Sequence, residues 1–418
     1  MDITATAKDL FQAAVDRADP AQAVAGYFAH SPLPALETGG RYFVVALGKA
    51  AVPMMRAALN HIPEPRRALI VTNPENMASV EGAKVMAGSH PVPDDASAKA
   101  GRTILDFVSE AEAKDHVIAL VSGGGSALAI APSGDLSLAD KAAVNQILLA
   151  SGLEINQINL VRQQLSDLKG GGVLRAARPA PVHALILSDV IGDDLRAIAS
   201  GPTVAPLSDR AGAKALLENE SLWDAIPEKV QHHLSQPVEP LDLPASENIL
   251  IGSNRHSLDA MVKAARKGGD WDVHIVSDQL VGDVADAAQE VIAAANAANA
   301  DRPVALLFGG ETTVQLSGTG RGGRNQELAA RVAKLGATEL SGNWVFLSGG
   351  TDGRDGPTDA AGGLVDGTTW ARIGAEADAL LQNNDSYAAL EKAEALLMTG
   401  GTGTNVADVQ ILLMMPAS

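Results

Sequence analysis

Short apolar runs alternate along this chain with longer stretches whose apolar positions recur every three to four residues, and most of the runs stop at a glycine or serine. Residues 42–46, 68–72, 84–87, 116–121 and 184–187 read as strands, and residues 96–113, 136–151 and 154–168 as helices between them. Leu47, Gly48 and Lys49 turn the first strand into a further helix that ends near Pro63. The run after His116 is apolar throughout, the pattern of a strand covered on both faces by the helices of a parallel sheet. Strand and helix in alternation predict an open, doubly wound sheet.

A second series follows residues 237–246, a proline-rich segment without helical period that reads as a linker. Its strands are expected at 248–252, 273–277, 304–308, 344–347 and 408–414, its helices at 257–267, 283–298 and 326–334, and residues 398–405 form a glycine turn. A length of 418 residues exceeds what one hydrophobic core usually organises. The expected architecture is therefore α/β: two Rossmann-like three-layer α/β/α domains, residues 1–240 and 247–418. Ligands in open α/β sheets bind beyond the carboxyl ends of strands, so the strand-end loops are expected to meet in a cleft between the domains.

Composition narrows the function. The formal net charge of −18 opposes binding to nucleic acid or to anionic membranes, and an aromatic share of 3% leaves little for base stacking. The chain has no cysteine, which excludes disulfides, thiolate chemistry and cysteine-ligated zinc. No apolar run approaches membrane-spanning length, and the first residues read as a folded helix instead of a cationic leader, so a cytoplasmic protein is expected. In so acidic a chain, cations at strand ends stand out: Lys49, Arg162, Lys169 and Arg324.

Each candidate has a plain structural alternative. Gly309, Gly310 and Glu311 close one apolar run, and Arg321, Gly322, Gly323, Arg324 and Asn325 precede a helix; free N–H groups and guanidinium forks there suit phosphate oxygens, but so would a tight turn with solvated arginines. Asp352 and Asp355 follow the next run and could share Mg²⁺ with nucleotide phosphates, or close Asx turns. Lys49 stands near a helix N-terminus, where it could meet a phosphate or carboxylate or simply face solvent. Ser122, Gly123, Gly124, Gly125 and Ser126 can form a nest of backbone N–H groups for an anion, or a bare turn. Arg162 and Lys169 share one helix face before Gly170, where they could bind an anion or complement the helix dipole. Asp189 ends a buried strand and could take a proton or orient metal-bound water; alternatively it caps a turn and Asp193 or Asp194 does the chemistry.

The phrases LLFGGETTV, GRGGRNQELA, LSGGTDGRDGPTDAAGG and MTGGTGTNVAD, with VVALGKAA, LVSGGGSAL, NLVRQQLSDLKGGG and LILSDVIGDDLRAIASGPT upstream, cover nearly the whole chain in order. On these phrases it resembles the glycerate 2-kinases, whose C-terminal region is the MOFRL domain and whose members are sometimes labelled hydroxypyruvate reductase. The resemblance implies that ATP, with Mg²⁺, phosphorylates D-glycerate at its C2 hydroxyl to 2-phosphoglycerate. It further implies that Lys49 and Arg324 neutralise phosphate charge, Asp352 and Asp189 are the metal candidates, and Asp189 takes the hydroxyl proton. The loop at residues 122–126 would seat the glycerate carboxylate. The expected partners are this small acid and a nucleotide, with a homodimer left open.

The chain lacks GxxxxGK[ST], HRD and GxSxG motifs, so such a kinase belongs to none of the widespread nucleotide-binding classes. The rival reading, an NAD(P)H-dependent hydroxypyruvate reductase, is weakened because the glycines after Ser122 are consecutive and do not spell GxGxxG. A non-catalytic module for a small acid fits the crowding of carboxylates and cations less well. Without the resemblance, the pattern reaches only a two-domain α/β enzyme that handles an anionic substrate.

Overall fold

The computed structural model describes residues 2–238, 243–298 and 301–416; residues 239–242 of the expected linker lie outside that set. Its chain divides into two compact units, Pro20–Ile251 and Met1–Asp19 together with Gly252–Ser418, called here the N-terminal and C-terminal units. Among the described residues no helix is long and apolar enough to cross a membrane.

The N-terminal unit is built on β1 (Tyr42–Leu47), β2 (Arg66–Thr72), β3 (Ala83–Ala87), β4 (His116–Val121), β5 (Val182–Leu187) and β6 (Ser246–Gly252). Their order is β3-β2-β1-β4-β5-β6, with β1, β2, β3, β4 and β5 in parallel pairs. From β1 the chain moves outward through β2 and β3, then returns to lay β4 on the other side of β1. The reversal creates a crevice beyond the carboxyl ends of β1 and β4, where such sheets take ligands. Those ends are level, because Leu47 is in register with Val121. Phe43, Val45, Leu69, Val117 and Ile104 are among the buried side chains of one core, and fully burying each contributes on the order of 2 kcal/mol. A separate apolar cluster joins the helices Leu138–Ala150 and Ile155–Gln164 to Arg210–Asn219 and Glu228–Ser235.

The boundary between the units differs from the one expected. Strand β6, expected to open the second domain, is the edge strand of the first sheet. The helix Ile3–Ala18, expected in the first domain, packs on the C-terminal unit, because its stripe of Ile3, Ala7, Leu10, Phe11, Ala14 and Val15 is buried there.

The C-terminal unit contains β7 (Asp272–Asp283), β8 (Val304–Thr313), β9 (Trp344–Gly350), β10 (Gly362–Asp366), β11 (Leu396–Leu397) and β12 (Asp408–Met414), in the order β11-β10-β9-β12-β8-β7. This sheet is mixed: β7 and β8 are parallel, whereas β12 inserts antiparallel between β8 and β9. Side chains alternate across it with period two. Leu306, Phe308, Phe346 and Leu412 face the helices Val284–Ala297 and Arg324–Glu339, while Leu307, Val345, Leu347 and Ile411 face Ile3–Ala18 and Asn254–Gly268. The result is a three-layer α/β/α unit.

Candidate active site

In the N-terminal unit the crevice between β1 and β4 is closed at its floor by a backbone crossing. Ser122 N–H donates to the Leu47 carbonyl at 2.9 Å, and Lys49 N–H donates to the Gly123 carbonyl at 2.9 Å. Ser122 is buried; its hydroxyl accepts the Ala50 N–H at 3.1 Å, so it locks the two loops together. Gly48 is needed at this crossing twice over: its φ is +126°, and a Cβ there would come within 2.2 Å of Ser122 Oγ.

Above the crossing the glycines leave room for chemistry. A Cβ on Gly123 would fall 2.0 Å from Asp189 Oδ2, which places that carboxylate directly over the loop. A Cβ on Gly124, at φ +80°, would sit 3.1 Å from Lys49 Cε and 3.4 Å from His90 Cδ2. Lys49, His90 and Asp189 therefore converge on one glycine pair. Burial pushes the Asp189 carboxyl above its usual range, against the pull of its own backbone N–H, Lys49 and His90. Lost hydration and then Lys49 hold the His90 imidazole below its usual value, although Glu75 and Asp189 act the other way. A carboxylate whose basicity is raised beside an exposed ammonium can accept a proton from a hydroxyl that an anion-binding group positions. Of the alternatives, Asp194 is held by Arg196 through two hydrogen bonds of 2.9 Å, which keep its carboxyl low.

Ser126 makes a separate contact. Its hydroxyl lies 2.7 Å from Ser200 Oγ, which also accepts from Lys169 Nζ at 3.2 Å. Ser126, Arg162 and Lys169 line a cavity of about 410 Å³, together with Lys141 and Asn145.

The C-terminal candidates gather around the start of the helix Arg324–Glu339. Asp355 caps it, accepting from Asn325 N–H at 3.1 Å and Gln326 N–H at 2.8 Å, so the helix terminus expected to meet phosphate already holds a carboxylate. Burial pushes the Asp355 carboxyl up to about 6 against those two backbone bonds. Arg324 gives its fork to Asp408, Nε at 2.5 Å and Nη2 at 3.0 Å, and its Nη1 lies 2.8 Å from Glu311. Burial alone would lower the guanidinium pKa, but Asp408, then Glu311 and Asp355, hold it above its usual value. Asp352 is half-buried and accepts the Arg354 N–H at 2.9 Å; burial raises its carboxyl, and nearby Asp408 adds to the rise. Four carboxylates thus surround one guanidinium. Among the described residues, however, no group of three or more acidic or histidine side chains is arranged to hold a metal ion.

Three of the candidates have structural roles. Gly309 and Gly310 do not end a strand: β8 runs on through them, Gly310 is in register with Asp408 on one side and Leu280 on the other, and a Cβ on Gly309 would fall 1.9 Å from Asn254 Oδ1. Gly309 lets the helix Asn254–Gly268 pack closely on the sheet and Gly310 lets the backbone of β7 approach, while both stay in the ladder. Asn325 is buried and its amide links Ser348 Oγ, at 2.6 Å, to Asp355, at 3.4 Å.

A family model described as a domain of unknown function, DUF4147, matches residues 6–235, and the MOFRL family model matches residues 304–408. A glycerate 2-kinase from Pyrococcus horikoshii is 37% identical over 99% of this chain and 98% of its own. The chain belongs to the glycerate 2-kinase family. The crystal structure of a glycerate kinase from Thermotoga maritima superposes with a TM-score of 0.91, at 36% identity and with 99% of each chain covered. A further relative, from Agrobacterium vitis, carries a hydroxypyruvate reductase name at 38% identity, covering 97% of this chain and 93% of its own.

Within this glycerate 2-kinase fold, sequence reasoning overlooked His90, Lys141 and Asp408. Lys141 had a readable signal: Leu138, Val144 and Leu148 are buried or line the cavity on its helix, so a lysine occupies the apolar stripe at helical spacing. Asp408 opens β12, and only the insertion of that strand between β8 and β9 brings it to Arg324. No local pattern foretold that pairing.

Proposed function

We infer that this chain is an ATP-dependent glycerate 2-kinase that converts D-glycerate to 2-phosphoglycerate with release of ADP. The observation that carries the reading is the convergence of Lys49, His90 and Asp189 on Gly123 and Gly124, at the point where the strand order of the first sheet reverses. Asp189 takes the proton of the C2 hydroxyl. The freed oxygen attacks the γ-phosphorus, and the bond from that phosphorus to the bridging oxygen of ADP breaks. Lys49 neutralises charge on the transferred group, and the backbone of Gly123, Gly124 and Gly125 seats the glycerate carboxylate.

In the C-terminal unit, Arg324 is the phosphate-facing cation. Asp408 fixes one edge of its guanidinium, and the edge now paired with Glu311 is the one a phosphate oxygen would take. Mg²⁺, when bound with the nucleotide, supplies charge neutralisation at the phosphate oxygens. Asp352 suits it as a single protein ligand, since one carboxylate plus phosphates and waters suffices for this ion. Asp189, flanked by Lys49 and His90, suits proton transfer better than metal binding. The reading also places the enzyme in the cytoplasm, acting on small molecules and compatible with a homodimer.

The reductase reading gains no support from the geometry around Ser122, where consecutive glycines form a short turn instead of a dinucleotide fingerprint. Paired assays test the choice. The protein should release ADP from ATP only when D-glycerate is present, and should leave NADH and NADPH intact with hydroxypyruvate. Cofactor oxidation without ADP release would overturn the kinase.

A further inference from the structure

The cavity beside Ser126 holds an electrostatic imbalance that the reaction described above does not use. Lys141, Arg162 and Lys169 all line it. Their hydrogen-bond partners are neutral: the Leu165 carbonyl for Lys141 at 3.0 Å, the Asn145 side chain for Arg162, and Ser200 Oγ for Lys169 at 3.2 Å. Among the described residues none of the three forms an ion pair. The carboxylate that acts on Lys141 most, Asp167, is engaged elsewhere, by Arg102 at 2.8 Å and Ser133 at 2.7 Å. Lys169 is only 7% exposed.

Burying a charge without a counter-charge is costly, so three cations in one cavity of a chain with net charge −18 call for an anion. Loss of hydration, and then Lys141 and Arg162, hold the Lys169 ammonium well below its usual value; burial brings Lys141 down to about 8. An anion of several charges in the cavity would relieve both.

The remaining wall selects among anions. Val92, Ile130, Leu138 and Val144 make it largely apolar, and about 410 Å³ is in the range that accommodates drug-sized ligands and exceeds the needs of a three-carbon acid. Polyanion and apolar body together describe a nucleotide better than glycerate or its phosphate. We propose that this cavity is the nucleotide seat, with the phosphates that remain on ADP held by Lys141, Arg162 and Lys169 and the base or ribose against the apolar wall that includes Val92. The assignment rests on the kinase reading for the identity of the nucleotide as ATP, and it adds Lys141 to the binding residues.

The test uses the full chain, with inorganic tripolyphosphate and ATP as probes, in wild type and in Lys141→Met and Lys169→Met. Both probes should raise the melting temperature of the wild type by linkage. Each substitution should leave the ligand-free melting temperature unchanged or higher, because an unpaired cation is removed. Each should weaken ATP, measured by calorimetry without glycerate, by about tenfold or more, as expected for one lost charge-assisted hydrogen bond. The KM for D-glycerate should stay within about threefold, because the acid is seated elsewhere. Arg162→Gln serves as a third variant should a methionine variant fail to fold.

ATP binding equal to that of wild type in all folded variants would overturn the proposal. So would a loss confined to D-glycerate, which would make the cavity the acid site. Should the wild type bind ATP through these residues yet phosphorylate no glycerate, the cavity assignment would stand and the kinase reading would fall.

Discussion

The two units of this protein hold charge in opposite ways. In the N-terminal unit Lys141, Arg162 and Lys169 face neutral partners around a cavity, whereas in the C-terminal unit Glu311, Asp352, Asp355 and Asp408 crowd about Arg324. The first arrangement is unsatisfied and waits for an anion. The second is already satisfied at its centre, since the side chain of Asp408 is 1% exposed and grips the fork of Arg324 from below. A guanidinium so held cannot swing, and precise placement of a charge is what stabilisation of a transition state requires. Unpaired cations therefore mark where a ligand binds, and a paired cation marks a group fixed in place.

Changes at Asp189, the proposed base, should have the largest effect. Asp189→Asn removes the proton acceptor over Gly123 while keeping its size, and should lower kcat by about a hundredfold to ten-thousandfold with little change in ATP affinity. Full turnover in a folded variant would move the base elsewhere.

Next come two pH effects of opposite sign. Asp355 has a carboxyl raised to about 6 from an unfolded value of 3.8, so the folded state binds more protons between those values. Its contribution to stability is then greatest below about pH 4 and is lost as pH rises toward 6, by on the order of 2 to 3 kcal/mol. Lys141 is lowered to about 8 from 10.5, so the unfolded state binds more protons there, and stability should rise as pH climbs from 8 toward 10.5. Urea unfolding of the wild type against Asp355→Asn and Lys141→Met, each across its own window, checks both signs. Matching slopes in wild type and variant would mean that the residue does not titrate between the folded and unfolded states as described.

Smaller still is the contrast between the two acids on Arg324. Asp408→Asn should destabilise by about 1 to 3 kcal/mol, because a buried partner is lost from a guanidinium that keeps some solvent contact. Glu311→Gln, at a side chain 45% exposed, should cost less than about 1 kcal/mol. Equal costs would mean that the pinned edge of Arg324 is not special.

How much of this was readable beforehand varies by element. Strands β4 and β12 are legible to the residue, since each is an apolar run between polar breaks. Strands β8 and β9 run longer than their sequence implies, because paired glycines usually end a strand, whereas here Gly309 and Gly349 continue it to leave space for Asn254, Phe11 and Leu397. The same glycine phrases thus form a loop after β4 and ladder in β8 and β9. What lies opposite decides which, and sequence spacing does not contain it. Lys49, Asp189 and the glycines at 123 and 124 were legible because a strand end fixes them locally. The capping of Arg324–Glu339 by Asp355, the seat of Lys141 and the grip of Asp408 on Arg324 depend on contacts between segments far apart in the chain.

The proposed chemistry is phosphoryl transfer to the C2 oxygen of D-glycerate. Phosphorus NMR of a mixture of the protein, D-glycerate, ATP and Mg²⁺ follows that transfer. 2-Phosphoglycerate and ADP should appear in equal amounts, and both should be absent when glycerate is omitted. Accumulation of the 3-phosphate, or ADP and free phosphate without any phosphate ester, would contradict it.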